Sequence, residues 1–448
     1  MAAALGVLVS CGSVKSGEEV VAASRDSKVV VAYVTSWSEV MPDPQYMTHI
    51  NYAFGHVNES FNGVKIDNEE RLRQIVDLRK QKPELKVLLS IGGWGSGRFS
   101  EMAANDEYRR AFAADCDRVV KEFALDGIDI DWEYPTSSMA NISSSPDDTE
   151  NFTLLMQDIR AAIGNEKELT LATVASARYI DFKAILPSVD FVNIMAYDMA
   201  SAPKHHSALY PSGHSGDITS DGAVTAHLKA GVPPSKLVMG MPFYGRGGDG
   251  YPSFQDYNKV GNTDTQYTEK WDEVAQVPYL ADKNDTLVFG FENPRSLAIK
   301  CQYILDKDLL GGMYWDYSGD NEQGDLRRTV AENLLGKPHK AKVLVLTERG
   351  GQHGGFTDAG LRWLAAEGVK GNFSITEINN ARNITEAYLS QFSLVIQLDF
   401  PPYTWPKEAE DAFVKYIEEG RGGWIGFHHA TLLGEFDGYP MWQWFSDF

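Results

Sequence analysis

The sequence predicts an α/β protein in two parts, a closed (β/α)8 TIM barrel followed by an open, doubly wound β/α unit. Three observations carry that expectation. The chain has 448 residues, 43% of them hydrophobic, which fits a barrel of about 250 residues or more plus a second unit. Short runs rich in Val, Ile and Leu alternate with segments of helical period from about residue 28 to 336, as a parallel sheet covered on both faces requires. The same alternation restarts at residue 341.

Residues 1–27 read as a leader and linker. "MAAALGVLVSCGS" is a short apolar run that ends at Cys11 and gives way to Ser, Lys and Glu. It resembles a bacterial lipoprotein signal, whose cysteine becomes the lipidated first residue, although no basic residue precedes the apolar run. That resemblance implies a secreted or cell-envelope protein, lipid-anchored at Cys11. An ordinary secretory signal and a cytoplasmic tail are the alternatives.

Strands are expected over 28–37, 49–57, 86–93, 127–134, 169–176, 191–198, 237–245 and 311–318, where β-branched and aromatic residues concentrate. Helices are expected over 68–81, 107–125, 147–163 and 296–306, where apolar residues recur every three or four positions. Together these elements place the barrel at 28–336, with a linker at 337–340.

The net charge of −21, without a basic cluster, excludes nucleic acid as a partner. A neutral ligand such as an uncharged carbohydrate suits that field, and 11% aromatic residues can supply stacking surface. No apolar run approaches the roughly 20 residues of a spanning helix, which leaves the lipid as the route to a membrane. Cys116 and Cys301 lie far apart in helix-like patterns and read as buried, reduced thiols. No metal-ligand spacing is present; neither a metal nor a cofactor is expected, and the chain reads as a monomer.

The stretch "LDGIDIDWEYP" at 125–135 sets Asp129, Asp131 and Glu133 on one face of a strand and Ile128, Ile130 and Trp132 on the other. In the fourth strand of a barrel the acid face points inward. Carboxyls at this spacing lie about 6–7 Å apart along the strand. At an effective dielectric near 20, two such charges repel by about 2–3 kcal/mol. At least one carboxyl therefore keeps a proton near neutral pH, the state a general acid needs. Glu133 stands at the carboxyl end of the strand, where barrel enzymes carry their chemistry.

Asp126-x-x-Asp129-x-Asp131-x-Glu133 resembles the signature of glycoside hydrolase family 18, the chitinase family. "SIGGW" (90–94), "MAYD" (195–198), "GMPFYGR" (240–246) and Trp315 resemble four further motifs of that family, in order on the expected strands. The resemblance implies a retaining, substrate-assisted glycosidase acting on chitin or oligosaccharides of N-acetylglucosamine. It implies Glu133 as general acid and then base, Asp131 as the group that orients the substrate acetamide, Asp129 as its proton-sharing neighbour, and Tyr197 as a hydrogen-bond donor to the acetamide. It also implies sugar contacts at Tyr33, Phe54, Trp94, Asp198, Tyr244, Arg246 and Trp315. Ser90 and the Gly92-Gly93 pair read as tight packing beside the acids, and Asp126 as either a loop anchor or a chemical group. Many relatives carry an α+β insertion between the seventh and eighth strands. Here the connection, about 247–293, resembles only the family's basic one, which implies a shallower cleft and internal cleavage. The alternatives are an endo-β-N-acetylglucosaminidase acting on N-glycan cores and a non-hydrolytic chitooligosaccharide-binding protein; Glu133 speaks against the latter.

In residues 341–448, strands are expected over 341–348, 373–379, 393–400 and 422–430, with helices over 358–368 and 407–420. This segment resembles the trehalose-utilisation (ThuA-like) domain, a flavodoxin-like relative of class I glutamine amidotransferases. "GFHHA" sets His428 where those enzymes carry a nucleophilic cysteine, which implies that amidotransferase chemistry is absent. The expectation is a partial domain, about half the length a full one needs. His353, His428 and His429 read as loop or core histidines, or as part of a small sugar-related site.

Overall fold

The computed structural model describes residues 28–448 except 249–250, 261–265, 337–340, 350–353, 372, 403–404, 433–434, 436–437 and 439. Cys11 and His353 lie outside the described residues. The chain divides into two compact units, Met1–Gly336 and Lys337–Phe448.

In the first unit eight parallel strands close on themselves. They are β1 (Val29–Thr35), β2 (His49–Val57), β3 (Lys86–Gly92), β4 (Gly127–Asp131), β5 (Glu168–Val174), β6 (Phe191–Met195), β7 (Leu237–Pro242) and β8 (Gly311–Trp315). Each pairs with its successor, and β8 pairs with β1 through Val29 opposite Gly311, which completes the ring. A short strand, Val64–Ile66, adds antiparallel to the carboxyl-terminal part of β2.

Most of these strands stop two or three residues short of the apolar run that announces them. β4 is the telling case: its ladder ends at Asp131 opposite Gly92, so Glu133 stands just beyond the last paired residue. The strand tops leave the sheet because they build the loops of the carboxyl face, the site-bearing face of such a barrel.

The helices at Asp106–Glu122, Asp148–Ile163 and Pro294–Asp306 occupy the expected segments. Side-chain caps mark two starts: Asn105 accepts the N–H groups of Glu107 and Tyr108, and Asn293 forms a reciprocal box with Ser296. The segment expected as one helix over 68–81 is a helix over Glu69–Val76 that tightens to 3-10 geometry over Asp77–Lys80. Ile128, Ile130 and Trp132 join the apolar layer between strands and helices. Trp132 lies flat on Phe99, with ring centroids 5.3 Å apart. A second cluster, including Val31, Ala53, Val238 and Met313, fills the barrel lumen. Cys116 and Cys301 are unpaired and fully buried in the helix layer, and burial raises both thiol pKa values.

The connection between β7 and β8 folds differently from a plain loop. Tyr244–Gly247, Gln255–Asp256, Thr268–Asp272, Val277–Ala281 and Leu287–Gly290 form a five-stranded antiparallel sheet. Its strands are too short and too interrupted by Gly, Asp and Asn to show an alternation in the sequence.

The second unit has four parallel strands: β9 (Ala341–Leu346), β10 (Phe373–Ile378), β11 (Leu394–Gln397) and β12 (Gly423–Gly426). Their order in space is β10-β9-β11-β12. Helices at Gly354–Gly371 and Lys407–Glu418 connect them. The chain runs outward from β9 to β10 and then returns to add β11 on the other side of β9. That reversal is the doubly wound topology.

Candidate active site

Strand alternation delivers the acids. On β4 the face opposite the apolar layer carries Asp129 and Asp131, both buried, with Glu133 following at the mouth. Neighbouring strands aim short polar side chains at the deepest of them. The Asp129 carboxyl accepts hydrogen bonds from Tyr33 (2.8 Å), Ser90 (2.8 Å), Thr170 (2.6 Å) and Asn193 (3.3 Å). Those residues belong to β1, β3, β5 and β6, so four strands of the ring converge on one carboxyl. Burial pushes its pKa up, and the four donors hold it back.

Asp131 is placed otherwise. It is 4% exposed, and its Oδ1 has no hydrogen-bond partner. Burial, then the charges of Glu133 and Asp129, drive its pKa well above the carboxylate range. Among the described residues no hydrogen bond joins it to Asp129, whose oxygens are engaged by the four donors. A fully buried acceptor aimed into a cleft is a group awaiting a donor.

Glu133 sits highest of the three. Burial pushes its pKa up to about 7, the Tyr134 hydroxyl lowers it in part, and the charge of Asp198 raises it further. Asp198, in turn, is held ionised well below the usual range by Arg246, His206 and their charges, against a burial that opposes it. Arg246 grips it with two bonds, Nε to Oδ1 at 2.7 Å and an Nη to Oδ2 at 2.6 Å. This forked pairing fixes direction as well as charge. Nδ1 of the buried His206 lies 3.5 Å from the Asp198 carboxyl. The site thus contains one carboxylate kept charged beside one that keeps its proton to neutral pH.

Above the acids opens a cleft of about 740 Å³. Trp315 forms its floor, stacked on Phe54 at 5.6 Å and leaning on Tyr33 at 5.6 Å. Tyr197, Tyr244 and Arg246 line one side, and Trp94, 61% exposed, stands at the rim. The Tyr197 hydroxyl points to Met313 Sδ at 3.7 Å. Each site residue named from the sequence in the barrel therefore lines this cleft or, in the case of Asp129, lies directly beneath it. Asp126 does not: its carboxyl accepts the Val87 N–H (2.7 Å) and pairs with Arg79, which ties the entry of β4 to the β2–β3 connection. Ser90 does more than pack, since it is one of the four donors to Asp129.

Glycine is required at one turn of this site. Gly92 has φ +134°, and a Cβ there would lie 2.0 Å from the Asp131 carbonyl oxygen. Gly93 then donates its N–H to that oxygen at 2.8 Å.

Several lining residues escaped the sequence reading. Trp37, 64% exposed, extends the floor beside Phe54 and Trp315. Tyr134 stacks on Tyr179 at 5.5 Å, and Arg178 lies over Tyr179. Phe254, in the loop just before the strand Gln255–Asp256, stacks on Tyr244 at 4.7 Å. Only Tyr134 carried a signal, its place directly after the acid run; the others are isolated aromatic or basic residues in loops.

The comparisons agree with this geometry. The family model "Glycosyl hydrolases family 18" matches residues 29–320, and that of "Trehalose utilisation" matches 342–448. Chitinase A1 of Niallia circulans is 30% identical over 67% of this chain, which spans 58% of that protein's length. Chitotriosidase-1 of Mus musculus is 31% identical over 66% of this chain and 74% of its own. Among solved structures, a glycoside hydrolase family 18 N-acetylglucosaminidase from Paenibacillus barengoltzii superposes with a TM-score of 0.64 at 32% identity, over 68% of this chain and 99% of that one. A closed barrel, an acid-bearing fourth strand and a matched family model over most of the first unit lead to one assignment: this chain belongs to glycosyl hydrolase family 18.

Proposed function

We propose that the barrel hydrolyses β-1,4 bonds of chitin or chitooligosaccharides, with retention and with the substrate's own acetamide as nucleophile. The observation that carries this reading is the graded set of carboxyls on and just after β4: a satisfied Asp129, an unsatisfied Asp131 and a Glu133 whose pKa is pushed up to about 7. Glu133 donates its proton to the glycosidic oxygen. The acetamide oxygen attacks C1 as the C1–O bond to the leaving sugar breaks, giving an oxazolinium ion. Asp131 accepts the acetamide N–H at its partnerless oxygen and so orients the acetamide for attack. Glu133, now ionised, takes a proton from water as the water attacks C1, which opens the ring and restores the acid. Tyr197 donates to the acetamide, and Trp315 supplies the apolar floor for the sugar ring.

The names of Chitinase A1 and Chitotriosidase-1 support chitin as the substrate class. The N-acetylglucosaminidase from Paenibacillus barengoltzii, similar in fold at 32% identity, makes the cleavage pattern part of the test. Fluorophore release from an N,N′-diacetylchitobioside, product lengths from a longer chitooligosaccharide, and trimming of an N-glycan form one assay set. Release by the wild-type chain that vanishes in Glu133→Gln supports the proposal, and internal products support endo cleavage. Activity on the N-glycan alone moves the assignment to an endo-β-N-acetylglucosaminidase. Binding without hydrolysis of either substrate overturns the enzymatic reading.

We further propose an envelope location through lipidation at Cys11, which lies outside the described residues; incorporation of a labelled fatty acid that is lost in Cys11→Ser is its test. For residues 342–448 the family description, trehalose utilisation, supports a role with carbohydrate as well.

A further inference from the structure

The second unit brings polar and aromatic side chains together at a place its topology makes available. The strand order reverses at β9, and its carboxyl end lies beside that of β11. In open α/β sheets the crevice outside this reversal is where ligands are held. Glu348, two residues after β9, and His429, three residues after β12, meet there: His429 Nδ1 is 3.1 Å from Glu348 Oε2. His428 and His429 stack with ring centroids 4.3 Å apart, and Phe356 stands 5.9 Å from the His428 ring. His428 has φ +53°, a left-handed conformation that is costly for a residue with a Cβ.

Beneath the pair, the fully buried Asp399 fixes its position. Its carboxyl accepts the Glu348 N–H at 2.7 Å and the Thr357 hydroxyl at 2.6 Å, so β11 holds the turn after β9. Glu348, Phe356 and His428 are exposed and His429 is partly so. A solvated carboxylate–imidazole pair backed by a buried acid is an organised hydrogen-bonding centre rather than a core histidine. Among the described residues acidic groups outnumber basic ones around the pair, which favours a neutral ligand over an anion: with Glu348 come the carboxyls of Asp399, Asp358 and Glu377, the last two paired to Arg349.

We propose that the second unit carries its own ligand site at the carboxyl ends of β9, β11 and β12, and that the site takes a small neutral sugar. Glu348 and His429 bind vicinal hydroxyls, and Phe356 with His428 offers rings to the apolar face of the sugar. The inference rests on the carbohydrate reading of this unit and adds the residues that would do the binding.

The test is calorimetric titration of the full chain in a Glu133→Gln background with glucose, trehalose and, separately, inorganic phosphate. Binding of either sugar that persists in Trp315→Ala, which strips the floor of the barrel cleft, and that weakens by about tenfold or more in Glu348→Gln and His429→Ala supports the site. Phe356→Ala, at an exposed position, gives a second reading should either polar change unsettle the fold, which a thermal melt reports. Sugar binding that is lost in Trp315→Ala, or that all three second-unit variants leave unchanged, overturns the site while leaving the carbohydrate reading standing. Binding of phosphate alone, or of none of the probes, overturns the ligand class itself.

Discussion

At the scale of single residues, chemistry rests on how far each carboxyl is pushed from its ordinary range. Glu133→Gln keeps the size of the side chain and removes the proton; turnover of a chitobioside is expected to fall by about 10²–10⁴-fold or more, with KM little changed. Because Glu133 must be protonated to act and titrates near 7, kcat/KM of the wild type should decline as pH rises through about 7. Asp198 contributes to that elevation. Asp198→Asn is therefore expected to move this decline toward lower pH, read from a full pH profile. These acids were legible in the sequence because strand alternation alone sorts Asp129, Asp131 and Glu133 from Ile128, Ile130 and Trp132. The partners of Asp129 were harder to see. Thr170 and Asn193 are ordinary strand residues until closure of the ring turns four strands toward one point. His206, which helps hold Asp198, sits in a loop where no period marks it.

At the scale of elements, the strand tops carry the geometry. The turn after β3 passes so close to β4 that only glycine fits at 92. Gly92→Ala should cost at least about 1–3 kcal/mol, seen as a lower denaturant midpoint, and should displace Asp131 so that residual activity falls as well. The barrel strands and the long amphipathic helices were readable because continuous Val/Ile/Leu runs mark strands covered on both faces, and a 3.6-residue period marks a helix with one face buried. The helix at Ser220–Lys229 was not, since Gly222 and scattered polar residues blur its pattern. The antiparallel sheet between β7 and β8 was missed for a related reason: strands of two to five residues are too brief to show a period. Its cost to the functional reading was small but specific, for the loop that leads into its strand Gln255–Asp256 sets Phe254 in the cleft wall beside Tyr244 and Arg246.

For the whole molecule, an acid held protonated by the fold links stability to pH. The folded-state pKa of Glu133 is raised from 4.5 to about 7, so between those values the folded chain binds more protons than the unfolded one. Stability from this group is fully present below about 4.5 and is lost as pH rises through about 7. The elevated pKa of Asp131 acts in the same direction. Glu133→Gln should therefore melt at a higher temperature than the wild type at pH 8, with the difference shrinking toward pH 4; a constant difference across that range would contradict the assignment. An inactive variant that is more stable than its parent is the pattern of a site built for function at the expense of stability.

The two buried cysteines have a consequence of their own. Cys116 and Cys301 lie in helices that follow different strands, Asp106–Glu122 after β3 and Pro294–Asp306 before β8. Both thiols are fully covered, so a thiol reagent can reach each only when its own stretch of the helical ring opens. In a chain with Cys11 replaced, the labelling rates of these two sulfurs become two separate clocks. They would show whether the barrel comes apart all at once or unzips from one arc.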